Sequence, residues 1–224
     1  MRRPEPFFTT IEWILRPALG AWFNWRFEGE EHIPSQGPLL VAANHVSQFD
    51  PLADGLMLVR AGRHPRYLAK NDLWDNGFLR FVLNASHQIP VQRGSGSAAP
   101  LDSAVRALKD GECVVVYPEA TTTRNPDQLP MQGKTGIARL ALTAEVPVLP
   151  IAVWGSHHIF QKGQPKNLTF GRPIWLRAGA PIDFSDRVGY QEDPTALREV
   201  TDAIMGELTV LVTDLRSRYP QRWA

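Results

Sequence analysis

Apolar positions in the first 27 residues recur at steps of three and four. Phe7, Ile11, Ile14, Leu15, Ala18, Trp22 and Trp25 share one helical face, and Thr9, Glu12, Arg16, Gly20 and Asn24 form a narrow stripe opposite. Pro17 falls inside the pattern and predicts a kink or a split into two helices. A wide apolar face carrying Trp and Phe, with Arg2 and Arg3 ahead of it, suits a helix lying in a lipid interface. It suits equally a helix packed on its own domain.

Beyond Phe27 short apolar runs alternate with helical patterns. Pro38 to Ala43 predicts a buried strand. Asp50 then supplies a cap, and Pro51 a first-turn proline, for a helix through Leu52, Leu56 and Val59. Arg66 to Lys70 predicts a strand, Asp72 caps a helix through Leu83, and Gln88 to Gln92 alternates like a strand. Asp102 caps a helix that stops at Gly111. Cys113 to Tyr117 is the clearest buried strand, and Gly136 to Ala144 is helical. In Val146 to Val153, Pro147 and Pro150 predict an irregular strand or one near a sheet edge. Leu168 to Phe170 and Ile174 to Leu176 flank Gly171-Arg172-Pro173 as a hairpin, and Leu197, Val200, Ile204, Leu208, Leu211 and Leu215 mark a long amphipathic helix. This alternation predicts a single α/β domain over residues 28–224, with a mostly parallel or mixed central sheet flanked by helices. An amphipathic, membrane-docking helical segment over residues 1–27 precedes it.

Composition narrows the function classes. The 224 residues are 43% apolar and 21% charged, the profile of a folded chain with a sizeable core. A net charge of +1 argues against a nucleic-acid binder working by bulk charge. One cysteine excludes a disulfide scaffold and a cysteine-based zinc site, and it fits a reducing compartment. No run approaches the ~18 uninterrupted apolar residues of a spanning helix, and no leader peptide is expected. Three of the seven tryptophans fall in the first 25 residues, which points again to the head as a special surface.

Candidate chemistry gathers where strands end. His45 and Asp50 flank a strand-to-helix corner, where a carboxylate could orient an imidazole and stabilise its protonated form. A capping Asp beside a solvent-facing His would give the same letters. Tyr117-Pro118-Glu119-Ala120-Thr121-Thr122-Thr123-Arg124 joins a carboxylate, three hydroxyls and an arginine after the strongest strand, the place where open α/β sheets bind ligands, or simply a polar loop. Lys134 lies in Gln132-Gly133-Lys134-Thr135-Gly136, which lacks the spacing of a nucleotide phosphate loop. Gly94-Ser95-Gly96-Ser97 lacks the spacing of a nucleophile elbow. The six histidines are scattered, and His157-His158 lacks ligand spacing, so no metal is expected.

Taken together and in order, these segments resemble the glycerolipid acyltransferase family, of the 1-acyl-sn-glycerol-3-phosphate acyltransferase type. Asn44-His45 with Asp50 matches its first motif. Ile89-Pro90-Val91-Gln92-Arg93 matches the second, Tyr117-Pro118-Glu119-Ala120-Thr121 the third, and Val146-Pro147-Val148-Leu149-Pro150-Ile151 the fourth. Lys134-Thr135-Gly136 resembles the basic segment after the third motif, and the agreement covers about residues 38 to 153. Two departures stand out. Ala120 replaces a glycine, and it carries strain if that position has φ > 0. Arg124 is displaced by Thr122 and Thr123.

The resemblance implies transfer of a fatty acyl group from a thioester, acyl-CoA or acyl carrier protein, to the free hydroxyl of a lysophospholipid, with phosphatidate as product. It implies His45 and Asp50 as catalytic residues, and Asn44, Arg93, Glu119, Ala120, Thr121, Arg124 and Lys134 at the substrate. No cofactor is implied, because the thioester stores the needed energy. Arg93 and Lys134 suit a phosphate dianion. Between Arg60 and Lys109, eight Lys or Arg against three Asp suit an anionic surface. The expected partners are the thioester, the lysophospholipid and a membrane surface, with no nucleic acid, and the expected place is peripheral on the cytoplasmic face of the cell membrane. Two other classes stay open: an acyl-lipid hydrolase or thioesterase, and a catalytically weak lipid-binding protein. The oligomeric state is not set by these patterns.

Overall fold

The computed structural model describes residues 6–10, 13–14, 16–91, 99–161 and 163–223. Its centre is the strand β2 (Leu39–Ala43), in which every residue is buried. Such a strand must pack on both faces, so its sequence reads as an unbroken apolar run rather than an alternation. Leu39, Val41 and Ala43 point to one core with Ala53, Met57 and Leu58, while Leu40 and Ala42 point to another with Ala104, Leu108, Ile137 and Ile204.

Six further strands complete a seven-stranded sheet: β1 (Asn24–Glu28), β3 (Pro65–Lys70), β4 (Ile89–Val91), β5 (Cys113–Val116), β6 (Val148–Trp154) and β7 (Pro173–Ala178), in the order β1-β7-β6-β2-β5-β3-β4. Every pairing is parallel except β6 with β7. Helix α3 (Asp50–Arg60) covers the first face. Helices α5 (Ala99–Lys109), α6 (Gly136–Ala144) and α7 (Pro194–Arg218) cover the second. The expected α/β domain with a mixed sheet and flanking helices is therefore present.

The head differs in detail from the sequence reading. Its described residues include two short α-helices, α1 (Pro6–Thr10) and α2 (Arg16–Trp22), and Pro17 sits in the first turn of α2, where its missing N–H costs nothing. Residues 24–27, expected as the end of the helix, belong instead to the edge strand β1, which pairs with β7 through Trp25 opposite Ile174 and Phe27 opposite Leu176. The head is also seated on the domain. Phe8 is buried, its ring stacked on His64 at 4.3 Å with the Arg66 guanidinium 5.6 Å from its centroid. Trp13 and Ile14, in contrast, are 78% and 62% exposed. Arg2, Arg3, Ile11, Glu12 and Leu15 lie outside the described residues.

Other expectations shift for identifiable reasons. The helix expected from Asp72 is a 3₁₀ turn (Asn71–Asp75) followed by α4 (Gly77–Ala85), whose cap is Asn76, accepting from the N–H groups of Phe78 and Leu79. Asp102 lies inside the first turn of α5 rather than capping it. The strand with two prolines is neither irregular nor at an edge. Pro147 precedes β6, and Pro150 directs its backbone polar groups toward the point where β7 has just ended, with its carbonyl accepting from Gly179 N–H at 2.9 Å. The ladder with β7 begins only at Ile151, so the absent proline N–H removes no ladder bond. Finally, Gly171 turns the chain at φ +75°, but Leu168 to Phe170 form no strand; β7 pairs with β1 and β6 instead of in a local hairpin.

Candidate active site

Three neighbouring strands, β6, β2 and β5, end on the same edge of the sheet, and the residues that follow them converge there. Asn44 and His45 follow β2, Tyr117 follows β5, and Ser156 follows β6. Asn44 is fully buried and uses its amide as a strand extension: Nδ2 donates to the Val153 carbonyl at 3.1 Å, and Oδ1 accepts from Val153 N–H at 2.7 Å. Its amide is thus spent on fixing the corner, and Asn44, expected at the substrate, is not among the described residues that line the cavity beside it.

Asp50 begins α3, yet its carboxylate does not cap that helix as expected. It turns back toward the corner. Oδ2 accepts from His45 Nδ1 at 2.9 Å and from the N–H groups of Val46 and Ser47, each at 2.8 Å. Oδ1 accepts from Ser156 Oγ at 2.5 Å. The side chain is fully buried, so these four donors replace water for the whole carboxylate. Facing a carboxylate, Nδ1 carries the proton, which leaves Nε2 of the neutral ring as an acceptor. Gly155 makes the turn to Ser156 at φ +93°, and a Cβ there would meet the Pro173 carbonyl oxygen at 2.5 Å, so only glycine fits.

His45 is fixed from three further directions. Its N–H donates to Glu119 Oε1 at 3.0 Å, its carbonyl accepts from Thr123 N–H at 2.6 Å, and its ring stacks on Tyr117 with centroids 4.2 Å apart. The Tyr117 hydroxyl donates to Asp54 Oδ2 at 2.6 Å. Burial, with Asp54 beside it, holds the Tyr117 phenol well above its usual range. Burial, then the nearby Asp50 carboxylate, likewise holds Asp54 well above the usual carboxylate range. Asp54 Oδ1 has no hydrogen-bond partner among the described residues.

Glu119, expected at the substrate, is instead 3% exposed, with Oε2 accepting from Met131 N–H at 2.9 Å while Oε1 holds His45. Burial raises its carboxyl, and these two backbone donors oppose the rise. Its role is to tie two loops together. Ala120 has φ +57°, so the expected strain is real. Arg93 lies outside the described residues.

A cavity of about 780 Å³ opens beside this corner. Its lining includes His45, Tyr117, Ala120 and Lys134, and beyond them Leu52, Leu56, Leu79, Leu83, Ile137 and Leu140, together with Phe7 and Phe8 of the head. Thr121 and Arg124 are not among its described lining residues, so of the cations expected at the substrate Lys134 alone is seen to line it.

Four contributors escaped the sequence reading: Ser47, Asp54, Tyr117 as the ring platform, and Ser156. The four-residue step from Asp50 to Asp54 puts two acids on one face of α3, a signal that was available. Nothing local marks Ser156, which is 106 positions from Asp50 in the chain.

Residues 24–154 match the Acyltransferase family. The chain is similar to a 1-acyl-sn-glycerol-3-phosphate acyltransferase of Bacillus subtilis (strain 168), 27% identical over 162 residues that span 71% of this chain and 78% of that protein. A protein of the same name from Borreliella burgdorferi is 25% identical over 169 residues, spanning 74% of this chain and 64% of its own length. The crystal structure of the 1-acyl-sn-glycerophosphate (LPA) acyltransferase PlsC from Thermotoga maritima superposes with a TM-score of 0.71 at 25% identity, covering 96% of this chain and 81% of that one. With its corner of His45 and Asp50 inside the matched segment, the chain belongs to the acyltransferase family and is an acyltransferase enzyme.

Proposed function

We propose that the enzyme moves a fatty acyl group from a thioester, acyl-CoA or acyl carrier protein, to the free hydroxyl of a lysophospholipid, 1-acyl-sn-glycerol-3-phosphate, giving phosphatidate. The observation that carries this reading is a histidine held by a fully hydrogen-bonded buried carboxylate beside an apolar cavity of about 780 Å³. That volume lies within the ~300–1,000 Å³ of sites that bind one small molecule, and its leucine-rich walls suit an acyl chain.

His45 Nε2 takes the proton of the acceptor hydroxyl as its oxygen attacks the thioester carbonyl. Asp50 stabilises the imidazolium that forms. The tetrahedral adduct then collapses, the carbon–sulfur bond breaks, and the departing thiolate takes the proton back from His45. General base catalysis of this kind contributes ~10² to 10⁴ in rate. The thioester bond supplies the driving force, so the proposed step uses no cofactor. Lys134 lines the cavity, and we assign it, with Arg93, to the acceptor phosphate.

The head and α4 supply the membrane side of the proposal. Trp13, Ile14, Trp22, Phe78 and Phe81 are exposed, and the cavity is also lined by Phe7, Phe8 and Leu79 of the same segments. Among the described residues no helix is long and apolar enough to cross a membrane. Peripheral docking on the cytoplasmic face follows as part of the same reading.

The test is a purified-enzyme assay against a panel of lysophospholipids and glycerol-3-phosphate with both thioester carriers. Acceptor-dependent ester formation on 1-acyl-sn-glycerol-3-phosphate is expected. Release of free fatty acid without an acceptor would make the protein a hydrolase, and lipid binding without turnover would make it a binding protein.

A further inference from the structure

A second concavity, of about 650 Å³, begins one residue beyond Ser156. Its described lining includes His157, His158, Lys166, Arg172, Arg222 and Trp223, and it contains no Asp or Glu. Arg172 is only 9% exposed. Its guanidinium lies 5.0 Å from the Trp223 ring centroid, and Nη1 reaches the Trp223 carbonyl at a long 3.5 Å. Its Nε has no hydrogen-bond partner among the described residues, and neither does Nδ1 of His157, which is 8% exposed. Burial, then His158 and Arg172, lowers the His157 imidazole to about 3, so its ring is neutral beside Arg172. A buried guanidinium without a counter-charge is costly, and an anion in the cavity would relieve that cost.

The rim of the cavity is apolar and open. Leu168, 54% exposed, belongs to the lining. The Trp22 indole N–H donates to the Leu168 carbonyl at 2.8 Å, and the Trp22 ring meets Phe170 edge-on at 5.8 Å. Trp22 and Phe170 are 48% and 67% exposed. A soluble anion has no use for that rim. An amphiphile with a phosphate at its polar end does, because indole and phenyl rings settle where headgroups meet acyl chains.

We propose that this cavity is a second lipid site, which takes the phosphate of an anionic bilayer phospholipid on Arg172, Lys166 and Arg222 while Trp22, Leu168 and Phe170 enter the apolar layer. It is separate from the acceptor site and rests on the reading that the enzyme works at a membrane surface. The 3₁₀ turn Ser156–His158 joins it to the catalytic corner through the bond from Ser156 to Asp50.

The test compares flotation of the full chain with vesicles of phosphatidylcholine and with vesicles that also contain phosphatidylglycerol. Wild-type protein should prefer the anionic vesicles. Lys166→Ala with Arg222→Ala should reduce that preference on the order of 30-fold, since each cation at an anionic surface contributes about fivefold. Arg139→Ala with Arg187→Ala, which removes the same charge from side chains outside the cavity, should reduce it far less. Arg172→Met should also lose the preference, and if that variant fails to fold, the two paired variants decide. Equal losses in both pairs, or a preference unchanged by Lys166→Ala with Arg222→Ala, would overturn the proposal. So would saturation of the cavity by inorganic phosphate, followed through Trp223 fluorescence, that leaves vesicle binding untouched. Failure of the wild-type protein to bind either vesicle would instead remove the membrane reading on which the proposal stands.

Discussion

Replacing Asp50 by Asn removes one charge and almost nothing else. The amide oxygen takes the place of Oδ2, where three N–H donors converge, and the amide NH₂ takes the place of Oδ1, where only Ser156 Oγ sits. A hydroxyl can turn to accept, so no donor is left facing a donor. The three N–H bonds become neutral ones and each loses ~1 kcal/mol, the difference between charged and neutral acceptors. Burying an amide instead of a carboxylate returns part of that. A net loss of ~1–2 kcal/mol lowers Tm by roughly 2–8 °C in a domain of this size. The chemical step suffers more. With His45 Nδ1 2.9 Å from Oδ2, the charge centres of an imidazolium and the carboxylate lie about 4 Å apart, worth ~4 kcal/mol at an effective dielectric of about 20. That is ~10³ in kcat. Steady-state kinetics beside a thermal melt should show folded protein with kcat down ~10³ and both KM values little changed. A folded variant within tenfold of the wild-type kcat would refute the electrostatic role, and a protein that no longer folds would refute the placement of the amide against Ser156.

Three other outcomes follow from single features of the structure. Ala120 sits at φ +57°, which costs an L-residue ~1–2 kcal/mol, and glycine returns ~0.4–1 kcal/mol of that through the freer unfolded chain; Ala120→Gly should raise Tm by roughly 2–4 °C, and a lower Tm would contradict the strain. Because the Asp54 carboxyl is raised in the fold, its contribution is full below about pH 4, where the unfolded group is also protonated, and is lost as pH rises toward the folded value. Asp54→Asn should therefore gain stability over the wild type as pH rises above about 4, by up to ~1.4 kcal/mol per pH unit in urea titrations, whereas a pH-independent difference would show that Asp54 is ionised in the fold. Trp13→Glu with Ile14→Glu changes only exposed side chains and should weaken vesicle co-sedimentation by tenfold or more, from the ~1.5–3 kcal/mol of each apolar side chain kept out of the lipid; unchanged binding would place docking elsewhere.

The sequence carried the central strands and the catalytic corner because both are local statements. Leu39–Ala43 and Cys113–Val116 are apolar throughout since each is covered on two faces, and His45 and Asp50 are five positions apart in the chain. The edge strand β1 was hidden by coincidence. Trp22 and Trp25 continue a three-residue step, while Trp25 and Phe27 also alternate toward the core at a step of two. The sequence alone does not show which period wins when pairing with β7 decides it. Pro150 misled for a related reason, because its effect depends on where the neighbouring strand stops. Asp50 and Glu119 were given plausible tasks, a cap and a substrate contact, whereas in the fold their carboxylates are taken up by other donors, Asp50 by the corner and Ser156, Glu119 by the N–H groups of His45 and Met131. The clamps themselves join distant positions, Asn44 with Val153 and Asp50 with Ser156, and long-range pairs leave no mark in one chain.

The central claim is that His45 is the base for acyl transfer, and the most direct measurement is kcat of His45→Ala for acceptor-dependent ester formation from an acyl thioester. The side chain is mostly buried against Tyr117 but supports no core cluster, so the variant should fold and still bind vesicles. Its kcat should fall by ~10² to 10⁴, the contribution of a general base, and adding Asp50→Asn should lower it little further because the two side chains act as one unit. Acyl transfer within tenfold of the wild-type rate in folded His45→Ala protein would contradict the account.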